Sequence, residues 1–207
     1  MSKARLAWVM SLLLALAACG IGRPIRPPTT YALQLPLPDQ GPSVARRPQA
    51  LRVGNVRIAQ AYAGAALVYR TSDVQLISDP YHQFITEPDV MLADQVASWL
   101  ERCGPFATVA RPGSSQPAYY VLEASVTELY GDFRPRQTPA AVLAMQFTLI
   151  DESGVRPRSV FERVIARRVE LPRAAPDALV RGYATALTDI LAELTTGLQA
   201  GIASYRP

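Results

Sequence analysis

The sequence predicts a single α/β domain, a mixed β-sheet of six to seven strands packed against two main helices. Three observations carry this reading. Runs of period-2 apolar alternation recur between residues 51 and 171, two longer runs carry apolar residues at helical spacing, and turn chemistry separates one run from the next. The domain is read as residues 51–207, preceded by a leader at 1–18 and a lipid-bearing spacer at 19–50.

The leader comes first in the chain. Lys3 and Arg5 form a short positive start, and Leu6 to Leu16 is an apolar run of signal-peptide length, too short to span a bilayer. It ends in Leu16, Ala17, Ala18 and Cys19, which looks like the lipobox of bacterial lipoproteins. In such a box the Cys thiol accepts a diacylglycerol, the leader is cut before it, and the new amine is acylated. Several acyl chains on one residue satisfy the two-signal requirement for stable anchoring. Gly20 follows where an inner-membrane retention signal would show Asp, so the expected destination is the periplasmic face of the outer membrane.

Residues 20–50 contain seven prolines (24, 27, 28, 36, 38, 42 and 48), which stiffen the chain and remove backbone donors. Alternation at 31–35 (Tyr31, Leu33, Leu35) marks a short first strand within this spacer. Leu51, Val53, Val56 and Ile58 form the next, with a change of phase at Gly54-Asn55 that a bulge would absorb. Leu67 to Arg70 and Val74 to Ile77 read as a hairpin around Thr71-Ser72-Asp73.

Thr86-Glu87-Pro88-Asp89 signals a helix start, with Thr86 as the cap, Pro in the first turn and Asp89 at the capping-box position. Leu92, Val96, Trp99, Leu100 and Cys103 continue at helical spacing until Gly104-Pro105 stops them. Phe106 to Ala110 is a short strand, and Val74 to Ala110 together suggest a right-handed crossover. Tyr120 to Val126 and Leu143 to Leu149 alternate as half-buried strands. Asp151 to Gly154 is a turn, and Ser159 to Leu171 returns from it. A long helix opens at Pro176-Asp177 and holds Leu179, Tyr183, Leu187, Ile190, Leu191, Leu194 and Leu198 on one stripe. Gly182, Gly197 and Gly201 weaken it intrinsically, and its turns past Gly197 are expected to fray or to dock elsewhere.

Composition narrows the chemistry. One His and two Cys leave too few ligands for a tetrahedral zinc site, and a lipidated Cys19 leaves Cys103 without an intramolecular disulfide partner. Losing Lys3 and Arg5 with the leader takes the formal charge from +4 to +2. Nucleic acid as a partner then has little support. No G-x-S-x-G and no phosphate-cradling G-x-x-x-x-G-K-[ST] occurs. His82 is read as a structural or solvent-facing imidazole, Cys103 as a buried inert thiol, and Asp151-Glu152 as solvated turn charge. No catalytic residue, metal ligand or cofactor-binding residue is assigned. The bases left after cleavage are all Arg, and Arg46-Arg47, Arg134-x-Arg136 and Arg167-Arg168 are candidates for phosphate head groups, against a plain reading as solvated charge.

The order of these features resembles a known family. A lipobox and a Pro-rich spacer bearing Tyr31-Ala32-Leu33 precede Leu51 to Val56, Leu67 to Arg70, and Tyr81-His82-Gln83-Phe84 with Pro88 just after. A helix ending before Phe106, the strand Tyr120-Val121-Leu122-Glu123 and a C-terminal helix follow. Together they resemble the ABC-type transport auxiliary lipoproteins, the family that includes paraquat-inducible protein C. Phe84 departs from the family pattern, which usually has Trp there, a change of packing rather than role. The resemblance implies a non-catalytic, outer-membrane-anchored periplasmic subunit. Its implied partner is an MCE-domain protein with an ABC permease and ATPase that moves phospholipids or related lipids between membranes. It also implies a docking or conduit role, with a homo-oligomeric ring in some members. The alternative reading is an envelope assembly lipoprotein, a chaperone or pilotin for an outer-membrane protein.

Overall fold

The computed structural model describes residues 27–36, 46–135 and 137–205. Leu16, Ala17, Ala18 and Cys19 lie outside the described residues, as does Arg136. Eight strands form one mixed sheet, slightly more than the six to seven expected. They are β1 (Thr29–Tyr31), β2 (Leu51–Ile58), β3 (Ala66–Arg70), β4 (Leu76–Phe84), β5 (Val109–Ala110), β6 (Tyr120–Asp132), β7 (Ala140–Asp151) and β8 (Arg158–Glu170). The two helices are α1 (Pro88–Cys103) and α2 (Pro176–Ser204).

β6 organises the sheet. One of its edges pairs antiparallel with β7 from Tyr120↔Asp151 to Asp132↔Ala140, and β7 pairs in turn with β8. The other edge is shared in tandem by two parallel strands. β2 takes Tyr120 to Val126, and β3 takes Gly131 and Asp132. The β2 register slips between Val53 and Val56, where Gly54-Asn55 predicts a bulge. β4 pairs antiparallel with β3, and the short β5 pairs parallel with β2. β4 and β5 therefore point in opposite directions, so the segment from Val74 to Ala110 is not the parallel crossover that its strand–helix–strand order suggests.

The alternation that marks each strand places one face against the helices. Leu51, Val53, Leu122, Ala124, Leu143, Met145, Phe147 and Leu149 join one core with α1 (Leu92, Val96, Leu100) and α2 (Leu179, Leu187, Leu191, Leu198). The opposite face carries Glu123, Gln146, Thr148 and Glu162, and a small apolar patch of Val68, Tyr130 and Val142 on which Tyr62 of a short 3-10 helix (Gln60–Tyr62) packs; α1 and α2 lie on the other side. The helices are joined within the core, where Trp99 Nε1 donates to Thr195 Oγ1 at 3.1 Å.

Three local expectations change. α1 begins one residue later than the cap reading places it: Glu87 is the N-cap, it makes no side-chain cap bond, and Pro88 follows directly. A residue before Pro is pushed to extended backbone, which is where a helix entry needs it, so Pro88 sets the start without Thr86. The first strand is Thr29–Tyr31, and Leu33 and Leu35 bury their side chains outside any ladder. α2 does not fray after Gly197 but continues to Ser204, because its glycines are close-approach points. A Cβ at Gly182 would lie 2.6 Å from Leu171 Cδ2 and 2.7 Å from Ala141 Cβ. One at Gly197 would lie 2.7 Å from Phe161 Cε2.

Candidate functional site

The β3–β4 hairpin and its surroundings hold most of the polar clusters and exposed apolar side chains that the fold does not need for its core. β4 pairs with β1 only at His82, Gln83 and Phe84. Among the described residues, its outer edge from Leu76 to Tyr81 has no neighbouring strand. Val74, Leu76, Ile77, Tyr81 and Ile85 are exposed along this region. Apolar residues gathered beside a free strand edge mark a surface suited to docking.

A charge network fixes the hairpin to β6. Asp132, 0% exposed at the end of β6, accepts from Arg134 Nε at 2.9 Å and Arg134 Nη2 at 2.8 Å. It also accepts from Arg168 Nη1 of β8 at 2.6 Å. Arg134 then reaches across to Asp73 in the hairpin turn, Nη1 to Oδ1 at 2.6 Å. The hydrogen bonds from Arg134 outweigh the opposing effect of burial, and with those from Arg168 they hold the Asp132 carboxyl well below the usual carboxylate range. Arg70 sits over the Tyr130 ring at 5.9 Å and donates to the Ser72 and Asp73 carbonyls, which shapes the turn from the inside.

A second cluster fastens β1. His82 Nδ1 lies 2.7 Å from Asp79 Oδ2, and the Tyr69 hydroxyl donates to the same oxygen at 3.0 Å. Burial, together with the hydrogen bond to Asp79, pushes the Tyr69 hydroxyl far above its ordinary pKa. Burial alone would raise the Asp79 carboxyl. Hydrogen bonds from the Tyr81 backbone, His82 and Tyr69 outweigh it and hold the carboxyl below its usual value. The His82 ring stands 6.1 Å from the Tyr31 ring of β1. Pro27, Thr29, Tyr81 and His82 line a groove of about 490 Å³ at this point.

The structure separates the residues singled out in the sequence. His82 is tied to Asp79 and Tyr31 in the strand, and Cys103 is buried in α1, where desolvation raises its thiol pKa. Glu152 is a surface charge paired with Arg52 at 3.0 Å. Asp151 is not the solvated turn charge expected of it: it ends β7 at 3% exposure. Burial would raise its carboxyl, but hydrogen bonds from Ser153 outweigh that effect and hold it low.

The arginine candidates are largely committed to protein partners. Arg46 Nη2 caps the end of α1 through the Arg102 carbonyl at 2.8 Å, whereas among the described residues Arg47 is held through its backbone alone, in a bridge beside Phe106. Arg134 and Arg168 serve Asp132, and Arg167 pairs with Glu193 at 2.6 Å. Asp132, Asp79 and Tyr69 went unassigned in the sequence. The available signals were an acid between aromatic residues just before Arg134, and an acid three residues ahead of the only imidazole.

Among the described residues no group of three or more His, Cys, Asp or Glu is placed to hold a metal ion, and no helix is long and apolar enough to cross a membrane.

Comparison with known families settles what kind of chain this is. A family model for the ABC-type transport auxiliary lipoprotein component matches residues 31–195. The chain belongs to that family. Its matched span runs from the end of β1 to within α2 and includes the whole β3–β4 hairpin. The crystal structure of XCC0632 from Xanthomonas campestris is similar in fold, with a TM-score of 0.74 at 22% identity, covering 85% of this chain and 98% of that one. A hypothetical protein of Chlamydia trachomatis, CT253, has a TM-score of 0.50 at 10% identity, covering 73% and 99% respectively. At these identities the likeness shows the fold alone. A search of curated proteins finds no match.

Proposed function

We propose that the chain is the outer-membrane-anchored, periplasmic auxiliary lipoprotein of an MCE-type ABC system that moves phospholipids or related lipids between membranes. The family match over residues 31–195 carries the reading. In this reading the leader is cut after Ala18, Cys19 takes the acyl chains, and Gly20 in place of Asp directs the protein to the outer membrane. The domain is a non-catalytic docking or conduit subunit. It binds an MCE-domain protein, as a single copy or as part of a homo-oligomeric ring. The free β4 edge with its apolar residues supports a docking role, because an exposed edge offers backbone hydrogen bonds and side-chain contacts to an extended partner segment.

The test is mild extraction of crosslinked envelopes. An MCE-domain protein should co-purify with the chain, and its consistent absence overturns the reading. Deletion should disturb the distribution of phospholipid between the membranes. Loss of one outer-membrane protein with phospholipid unchanged would favour an assembly lipoprotein instead.

A further inference from the structure

The free end of the β3–β4 hairpin exposes apolar side chains to both sides. Val74 in the turn is 98% exposed. Leu76 and Ile77 are exposed as well, although consecutive strand residues point to opposite faces. Tyr81 and Ile85 extend the apolar surface toward the other end of β4. Of the large apolar side chains exposed among the described residues, only Tyr119, Val155 and Val164 lie outside residues 74–90. Four of the others, Val74, Leu76, Ile77 and Tyr81, lie on the one hairpin, and such a concentration belongs against something other than water.

The direction of β1 indicates what that is. β1 runs parallel to β4, with Thr29 opposite His82 and Tyr31 opposite Phe84. The chain therefore enters β1 from the side of the hairpin's free end, and Pro27 already lines the groove with Tyr81 and His82. The ten residues from Cys19 to Thr29 reach at most about 34 Å. From His82 back to Val74 the strand covers about 26 Å. A tether of that reach, entering from that side, allows the hairpin end of the domain to meet the leaflet that holds its lipid. Arg70 and Arg134 stand just behind the turn, bonded to Asp73 there, so at shallow immersion of the apolar tip this charged pair sits at head-group level rather than in hydrocarbon.

We propose that the hairpin tip, Val74 with Leu76 and Ile77, dips into the interface of the same phospholipid leaflet that holds the Cys19 lipid. The domain is then fixed at two points and presents one orientation to the periplasm. The β7–β8 turn, which carries Val155, lies at the opposite end of β6 and faces away from the membrane. The proposal rests on the reading of Cys19 as lipidated.

The test uses the full-length chain purified from membranes, as Val74→Cys and Val155→Cys variants labelled with a nitrobenzoxadiazole probe. The unsubstituted chain, whose Cys103 is buried, gives the labelling background. Each is reconstituted into phosphatidylethanolamine and phosphatidylglycerol vesicles containing a nitroxide-labelled phospholipid. Quenching at position 74 should exceed that at 155 by about threefold or more, as expected for insertion to interfacial depth. Equal quenching at the two positions, in a chain whose mass shows an acylated Cys19, overturns the hairpin contact and leaves the anchor standing. A mass showing Cys19 unmodified overturns the anchor, and the hairpin proposal falls with it. Crosslinking of position 74 to a second copy without lipid quenching reassigns the tip to a protein interface.

Discussion

The two ends of this sheet are held together by different physics. Around α2 the chain relies on contact: Leu179, Leu187, Leu191, Leu194 and Leu198 are fully buried, and glycines let the helix approach β7 and β8 closely. Around the β3–β4 hairpin the organising group is a buried carboxylate with two arginines on it, and apolar residues face outward. Apolar contact carries no titrating group and is not screened by ions, whereas a charge network depends on pH and is screened by salt. The first region is suited to keeping a fixed shape. The second can hold a projecting hairpin in place without covering it, which leaves its surface available to a partner or a membrane.

Four substitutions and a pH series test this contrast. The largest effect is expected from Asp132→Asn, which removes the carboxylate charge and sets an amide NH2 against the Arg134 and Arg168 donors, and should cost about 3 kcal/mol by urea denaturation. If the loss were under about 1 kcal/mol, the network would not be what holds the hairpin. Gly182→Ala should cost about 2 kcal/mol, because the added methyl meets Leu171 and Ala141 inside van der Waals contact. A neutral result would show that the α2 side is looser than its geometry.

Acidification should divide the two regions. The folded-state pKa of Asp132 lies below its unfolded value, so its stabilisation is complete above about pH 4 and is lost as pH falls toward the folded value. Hydrogen exchange at pH 3 should therefore open residues 66–84 before α2. Simultaneous opening would put the two regions in one cooperative unit. Trp99→Phe removes the bond to Thr195 that ties α1 to α2 and should cost about 1 kcal/mol. Val74→Ser should change stability by less than about 0.5 kcal/mol, since none of the described residues covers that side chain.

Sequence reasoning worked where the pattern is local. Alternation in β6, β7 and β8 and the stripe of α2 follow from side-chain period alone, and the Gly54-Asn55 phase change identified the bulge. It failed where a residue's meaning depends on distant neighbours. Asp132 reads as an ordinary acid until β8 brings Arg168, 36 residues away, onto its oxygen. Asp151 looks like turn charge because three polar or small residues follow it, yet the end of β7 is covered. Glycines in α2 carry a propensity penalty in any scale that ignores what packs against them. β4 runs on through Pro80 because the ladder to β3 shifts register there, between Asp79↔Leu67 and Gln83↔Ala66, and asks no bond of it.

The tandem use of one β6 edge sets an order in time as well as in space. Among the described residues β2 has strand partners only in β5 and β6, and β5 reaches only Leu51 and Arg52, so residues 53–58 stay unpaired until the chain has been made through the first half of β6. The β3–β4 hairpin can close early from neighbouring residues, but its place beside Gly131 and Asp132 does not exist until β6 is complete. A chain synthesised from its N-terminus thus carries an apolar strand without a mate for some sixty residues, an interval in which aggregation competes with folding. The β6–β7–β8 meander, built from sequence neighbours, is the template onto which the earlier half of the domain is then fitted.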